Sequence, residues 1–232
     1  MGLTGHDLAT LLGRTGAGLL LDLDGTLVDS EPVHREAFRT YFAGRGWTVA
    51  GEVLLKFSGR RAAEVFPTVR GPWTGEDPDA LTAGVLKALR RATLRPEPVA
   101  GAARLIAACA RVRLPVAVVT SAQRGWVTYA LGVLGVANLD LPMVTASDCA
   151  RGKPDAEPYQ RGAELLGLRP RDVVVAEDAP AGVVSARAAG IGHVIGVTTT
   201  SPAAALIAAG SDETAPDLVA LATAVETLTS TH

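Results

Sequence analysis

The chain has 232 residues, of which 48% are hydrophobic and 20% charged, and its net charge is −2. That length carries a substantial hydrophobic core, as one large domain or two unequal ones, and the balance is that of a soluble globular protein. The near-neutral charge, the scattered arginines and the absence of any uncharged apolar run of roughly 18 residues speak against a nucleic-acid partner, an anionic membrane surface and a membrane span.

The chain begins MGLTGHDLATLLGRTGAG, with an early acid and only a short apolar piece. It reads as a loose or weakly helical extension rather than a secretory signal. The stretch GLLLDLDGTL follows, and its apolar part predicts a strand over Leu19–Leu23. Asp22 and Asp24 close that strand, and side chains two apart on a strand face the same side. Burying an unpaired carboxylate costs several kcal/mol, so something must compensate them. From about Ser30 to Arg95 the pattern turns helical. Glu31–Ala43 is amphipathic, Glu76–Thr93 is longer, and Gly71-Pro72-Trp73 and Gly75 break the chain between them. Beyond, the apolar runs Val116–Thr120, Met143–Thr145, Val173–Ala176 and His193–Val197 alternate with the helical patterns Gly101–Val112, Arg124–Leu134, Asp155–Leu166 and Ala181–Ala189.

Such alternation predicts an α/β fold: a Rossmann-like, doubly wound parallel sheet covered on both faces and linked by right-handed crossovers. The expected organisation is an extension over 1–17, an α/β core over 18–30 and 96–232, and a helical domain over 31–95 inserted on two linkers. Cys109 and Cys149 lack metal-ligand spacing, Cys109 reads as a small buried thiol, and a reducing, cytoplasmic setting is expected. Trp47, Trp73 and Trp126 read as packing residues, and His193 as structural.

Ligands of open parallel sheets bind at the carboxyl ends of the strands. The polar residues expected there are Asp22, Asp24, Thr120-Ser121 and Glu177-Asp178. Lys153 precedes Pro154, and proline suits a first helical turn, so Lys153 is expected beside an anion-favouring helix N-terminus. Only three lysines stand against nineteen arginines in the chain, which makes a lysine here informative. Several clustered carboxylates need a cation, and hard oxygen ligands with open positions suit Mg²⁺. The hydroxyl and the lysine then meet a negatively charged substrate. This set points to phosphoryl transfer, with one carboxylate as nucleophile and another as acid and base.

LDLDGTLVDSEP, VVTSA, RGKPDAEPY and VVVAEDAPAGVVSARAAG, in that order, resemble the four motifs of the haloacid dehalogenase superfamily, in its phosphatase branch. Within it the chain looks like the sugar-phosphate and glycerol-phosphate phosphatases of the β-phosphoglucomutase-like group, over residues of about 18 to 200. The resemblance implies that Asp22 attacks phosphorus and that Asp24 protonates the leaving alcohol and then activates water. It implies that Ser121 and the Ala122 N–H bind phosphoryl oxygens and that Lys153 neutralises charge. Asp22, Asp178, the Asp24 carbonyl and Glu177, directly or through water, would hold Mg²⁺. Gly25 and Thr26 would shape a turn presenting N–H groups to phosphate, and the insert would be a helical cap. Cap residues His34, Arg35, Arg60 and Arg61 lie nearest the motifs, and His34, Arg60 and Arg61 are the candidates for substrate choice. The implied protein is a cytoplasmic monomer acting on small phosphorylated sugars or polyols.

A β-phosphoglucomutase-like phosphotransferase is the alternative, because the core motifs do not decide what accepts the phosphoryl group. The mutase's cap-loop arginine falls near Ala62, which weakens that alternative. Dehalogenase chemistry needs no acid such as Asp24. A non-enzymatic phosphate-binding module is the alternative from another class.

Overall fold

The computed structural model of the protein describes residues 5–228. Six parallel strands form the central sheet in the order β5-β4-β1-β6-β7-β8. These are β1 (Gly18–Leu21), β4 (Val116–Val119), β5 (Met143–Val144), β6 (Val173–Glu177), β7 (His193–Val197) and β8 (Glu213–Ala215). β1 lies in the middle, with Leu19 opposite Val116 on one side and Val174 on the other. Strand order reverses at β1, and ligand crevices of such sheets open at that point.

The period-two alternation of β1 decides the layering. Leu19 and Leu21 enter one buried cluster, and Leu20 enters another on the opposite face. The first is covered by α1 (Gly5–Leu12), α6 (Ala102–Val112), α7 (Arg124–Val133) and α11 (Val219–Glu226). The second is covered by α8 (Glu157–Leu165), α9 (Pro180–Ala188) and α10 (Ala203–Ala209). Each fully buried leucine contributes roughly 1.5–3 kcal/mol. Of the expected loose or weakly helical extension, Gly5–Leu12 is helical, as α1. Leu8 and Leu12, one helical turn apart on α1, are buried in the first cluster; the part of the expected extension before residue 5 lies outside the described residues.

A two-stranded antiparallel ribbon joins β2 (Val28–Asp29) to β3 (Glu97–Pro98). β2, β3 and β8 have no counterpart among the expected strands, because their residues, VD, EP and ETA, form no apolar run. Between β2 and β3 run α2 (Glu31–Gly44), the short helices α3 (Gly51–Leu54) and α4 (Ala62–Val65), and α5 (Pro78–Leu89). They enclose a cluster of their own, with Phe42, Phe57, Phe66 and Trp73 at its centre. Phe42 and Trp73 stack at 5.1 Å between ring centroids.

The predicted helix over Glu76–Thr93 starts later, at Pro78. Asp77 caps it by accepting from the N–H groups of Asp79 at 3.2 Å and Ala80 at 3.3 Å, and Pro78 occupies the first turn. The helix expected from Asp155 likewise starts at Glu157, with Pro158 in its first turn. Pro154 instead lies in a turn, joined to Lys153 by a cis peptide, so Lys153 is not at a helix N-terminus. No helix among the described residues is long and apolar enough to cross a membrane.

Candidate active site

β1 ends at Leu21, one residue before the first aspartate. Asp22 stays in the sheet's line through its N–H, which donates to Ala176 O at 3.1 Å. Leu23 is buried, and the chain then folds into a tight loop in which Leu23 O accepts from the N–H groups of Thr26, Leu27 and Val28. Gly25 sits in the left-handed region at φ +87°, and a Cβ there would lie 2.1 Å from Asp178 Oδ2. Only glycine combines that conformation with so close a carboxylate. Within the turn the Gly25 N–H donates to Val28 O and the Thr26 N–H to Leu23 O, so these two amides hold the loop together. Thr26 is fully buried, and its hydroxyl donates to Asp178 Oδ1 at 3.3 Å.

The centre of the site is Lys153, completely buried at the sheet edge. Its ammonium donates to Asp22 Oδ1 at 2.5 Å, Glu177 Oε1 at 2.6 Å and Val119 O at 3.0 Å. Glu177 also accepts from Tyr159 OH at 3.1 Å and from the Ala179 N–H at 3.0 Å. Its carboxylate is thus committed to holding the lysine, with each oxygen engaged. Asp22, Glu177 and Asp178 bring oxygens within 4.8 Å of one another, all three residues buried.

One lysine does not balance three buried carboxylates. Burial pushes the Asp22 carboxyl well up, against the pull of Lys153 and with Glu177 and Asp178 adding to the rise. Asp178 is pushed up to about 8, by burial first and by the neighbouring Glu177 second. The lysine itself is held well above its ordinary value: burial opposes its charge, and Asp22 and Glu177 outweigh burial. An uncompensated oxygen cluster of this kind fits a hard divalent cation, which supplies the missing positive charge.

Asp24 faces a different group of partners. Its Oδ1 accepts from Ser30 Oγ at 2.6 Å and Trp126 Nε1 at 2.7 Å, and lies 3.0 Å from His34 Nε2. Burial works against its charge, but His34 and the hydrogen bonds outweigh burial and hold it below the usual carboxylate range. His34 is raised in return, with burial opposing and Asp24 prevailing. The side chains of Asp22 and Asp24 therefore do not form one pair.

A cavity of about 350 Å³ joins Asp22, Asp24, Gly25, Ser121, Ala122 and Asp178 to the helical segment. Ser121 Oγ donates to Gly59 O at 3.0 Å, across the gap between the sheet edge and that segment. The Ala122 N–H donates to Thr120 Oγ1 at 3.0 Å. Arg60 lines the cavity, and its buried Nε has no hydrogen-bond partner among the described residues. Arg61 also lines it, but its guanidinium turns to Glu64 Oε1 and to Cys149 O, each at 3.2 Å. Arg35 pairs with Glu31 at 2.8 Å. The opposite wall is apolar, with Phe38, Leu54, Phe57, Val85 and Leu89.

Sequence reasoning missed four residues here. Trp126, read as packing, is a hydrogen-bond donor to Asp24. Ser30, Tyr159 and Thr200 were not singled out. Thr200 lines the cavity together with Asp178, and its hydroxyl works against the rise of that carboxyl. Ser30 and Tyr159 left a trace, each six residues after a site residue of its own motif, Asp24 and Lys153; Trp126 and Thr200 reach the site through folds of the chain that local sequence does not encode.

The sequence profile of the haloacid dehalogenase-like hydrolases matches residues 19–197. Validoxylamine A 7′-phosphate phosphatase of Streptomyces hygroscopicus subsp. limoneus is 39% identical over 191 residues, which cover 81% of this chain and 88% of that protein. Hexitol phosphatase A of Escherichia coli K12 is 37% identical over 185 residues, 78% of this chain and 82% of its own length. The crystal structure of a hydrolase from Pseudomonas syringae matches 92% of this chain and 100% of its own with a TM-score of 0.81, at 21% identity, a likeness of fold. With the motifs converging on one sheet edge, this chain belongs to the haloacid dehalogenase-like hydrolase family.

Proposed function

We propose that this hydrolase is a Mg²⁺-dependent phosphatase of small sugar or polyol phosphate monoesters that works through a phosphorylated Asp22. The observation that carries the reading is the buried Lys153, which ties Asp22 into an acid cluster at the mouth of a cavity. The names of the relatives, a validoxylamine A 7′-phosphate phosphatase and a hexitol phosphatase, support monoesters of that class.

Asp22 attacks phosphorus while the bond to the alcohol oxygen breaks, and Asp24 gives that oxygen its proton. Water then attacks the phosphorylated Asp22, Asp24 takes a proton from it, and inorganic phosphate leaves. Asp24 is ionised without substrate, as the second step requires. A dianionic ester entering the cavity raises its value by like-charge repulsion, so Asp24 takes up the proton for the first step from solvent as the substrate binds. Lys153 fixes Asp22 and offsets the phosphoryl charge, Glu177 and Tyr159 fix Lys153, and Ser121 exchanges Gly59 O for a phosphoryl oxygen. Asp22, Asp178 and the Asp24 carbonyl would hold Mg²⁺, which when bound neutralises charge on the transferring group. Residues 31–95, with their own core, act as a cap that chooses the alcohol, through Arg60 and the apolar wall.

The test is phosphate release across a panel of sugar, polyol and nucleotide monophosphates, with Mg²⁺ and with chelator. Release from sugar or polyol esters, lost with chelator and lost in Asp22→Asn with the fold intact, is the expected result. Full activity of Asp22→Asn sinks the mechanism. Bisphosphate-primed isomerisation without release assigns the site to a mutase instead.

A further inference from the structure

Trp126 lies in the first turn of α7, and the steps above make no use of it. Its ring edges the cavity, 5.1 Å from the His34 ring between centroids. Three donors from two segments meet on one oxygen of Asp24: Ser30 Oγ and His34 Nε2 from the start of α2, and Trp126 Nε1 from α7. Asp24 Oδ2 has no hydrogen bond to any described residue. A carboxylate turns readily about its last torsion, which has only a broad, two-fold preference. Fastening one oxygen removes that freedom and presents the other.

The three donors are not equivalent. Ser30 and His34 lie at the start of α2, in the helical segment. Trp126 belongs to the α/β core. Its helix is anchored by Val127, Ala130 and Leu131 in the same cluster as Leu21 and Leu23, which flank Asp22. It is therefore the donor whose position relative to Asp22 is set by the core itself.

We propose that Trp126 is a positioning residue whose indole N–H locks Asp24 through Oδ1, so that Oδ2 is the atom that exchanges protons. In the first step the Oδ2–H bond breaks as the alcohol O–H forms and the P–O bond cleaves. In the second a water O–H breaks as Oδ2–H reforms. This rests on the acid–base role of Asp24 proposed above.

The experiment compares Trp126→Phe, which keeps a ring and loses the donor, with Trp126→His, which returns a ring N–H. kcat and KM are measured with Mg²⁺ on the fastest sugar or polyol ester of the panel and on p-nitrophenyl phosphate. The aryl oxyanion departs without a proton, so only the alkyl ester needs Oδ2 in the first step; release of the alcohol or of p-nitrophenol in the first turnover reads that step alone, because both esters share the hydrolysis of phosphorylated Asp22. Trp126→Phe is expected to lower kcat on the alkyl ester about tenfold or more, the scale of one hydrogen bond to a charged group. Its KM and its first-turnover release of p-nitrophenol are expected to stay within about twofold of wild type, and Trp126→His to recover part of the loss. Equal losses of the first-turnover rate on both esters, an effect on KM alone, or no loss on the alkyl ester overturns the proposal. Asp24→Asn runs alongside. Sugar-ester turnover retained there overturns the acid–base reading; turnover lost there, with Trp126→Phe indifferent, overturns only the role of Trp126.

Discussion

Removing the charge of Lys153 exposes how much of the site's order depends on it. The side chain is fully buried, and its ammonium serves Asp22, Glu177 and Val119 O at 2.5, 2.6 and 3.0 Å. Lys153→Met keeps a long flexible stem of similar bulk and deletes every donor. Asp22 then loses its ammonium partner, and Glu177 retains only Tyr159 and the Ala179 N–H. Breaking a buried ion pair from one side costs about 3–5 kcal/mol. Two carboxylates lose their partner at once, so the metal-free variant should lose about 4–5 kcal/mol near neutral pH, a large share of the roughly 5–15 kcal/mol of a typical domain. Lys153→Met with Glu177→Gln removes both charges of one pair and should return more than half of that loss. Urea unfolding followed by circular dichroism in chelator reads both variants, with the slope checked for constancy. A loss under about 1 kcal/mol in the single variant, or equal losses in single and double, would refute the charge argument. Turnover of the single variant should fall by at least about 10²–10³, the cost of deleting one preorganised donor.

Two further expectations concern the same cluster. The folded Asp178 carboxyl, pushed up to about 8 from an ordinary 3.8, holds its proton more tightly than in the unfolded chain. Its contribution to stability is complete below about 4 and lost as pH rises through about 8, so metal-free protein should melt at a lower temperature at pH 8 than at pH 6. Saturating Mg²⁺ should flatten that dependence, and an identical slope with and without the metal counts against the cation site. A Cβ on Gly182 would lie 1.6 Å from Glu177 Oε1, inside the buried network. Gly182→Ala should therefore cost about 1–3 kcal/mol and lower turnover by displacing Lys153; a variant with unchanged Tm and rate would show that Glu177 is free to move.

How much of the site can be read from the chain depends on the kind of residue. Asp22, Ser121, Glu177 and Asp178 each close or follow an apolar run at a strand's carboxyl end, and parallel strands deliver such positions to one edge; Lys153 stands out by its place before Pro154, in a turn rather than at the expected helix N-terminus. Asp24 stood in the motif of Asp22, yet its side chain turned to Ser30, His34 and Trp126 because the strand ends at Leu21 and the Gly25 loop redirects the chain. Trp126 and Tyr159 looked like packing or nothing at all, since an aromatic ring in a helix is buried mostly for its area. That each also donates a hydrogen bond depends on what the fold sets opposite it. Element boundaries slipped where a cap or a turn overrode periodicity, at Asp77 before α5 and at Pro154 before α8.

By itself, then, the sequence determined the α/β class, the helical stretch between β2 and β3, and the order of the residues that carry chemistry. Those features rest on local repetition: apolar runs of strand length, helical spacing, glycine and proline at turns. Tertiary structure alone decided that Lys153 is buried between two carboxylates, that Glu177 serves the lysine, and that Asp24 is held by an indole. It also decided that an apolar wall faces the acids across a cavity of about 350 Å³. The physical reason is that charge compensation and cavity shape are properties of groups far apart in the chain, brought within a few ångströms only when the sheet and helices close.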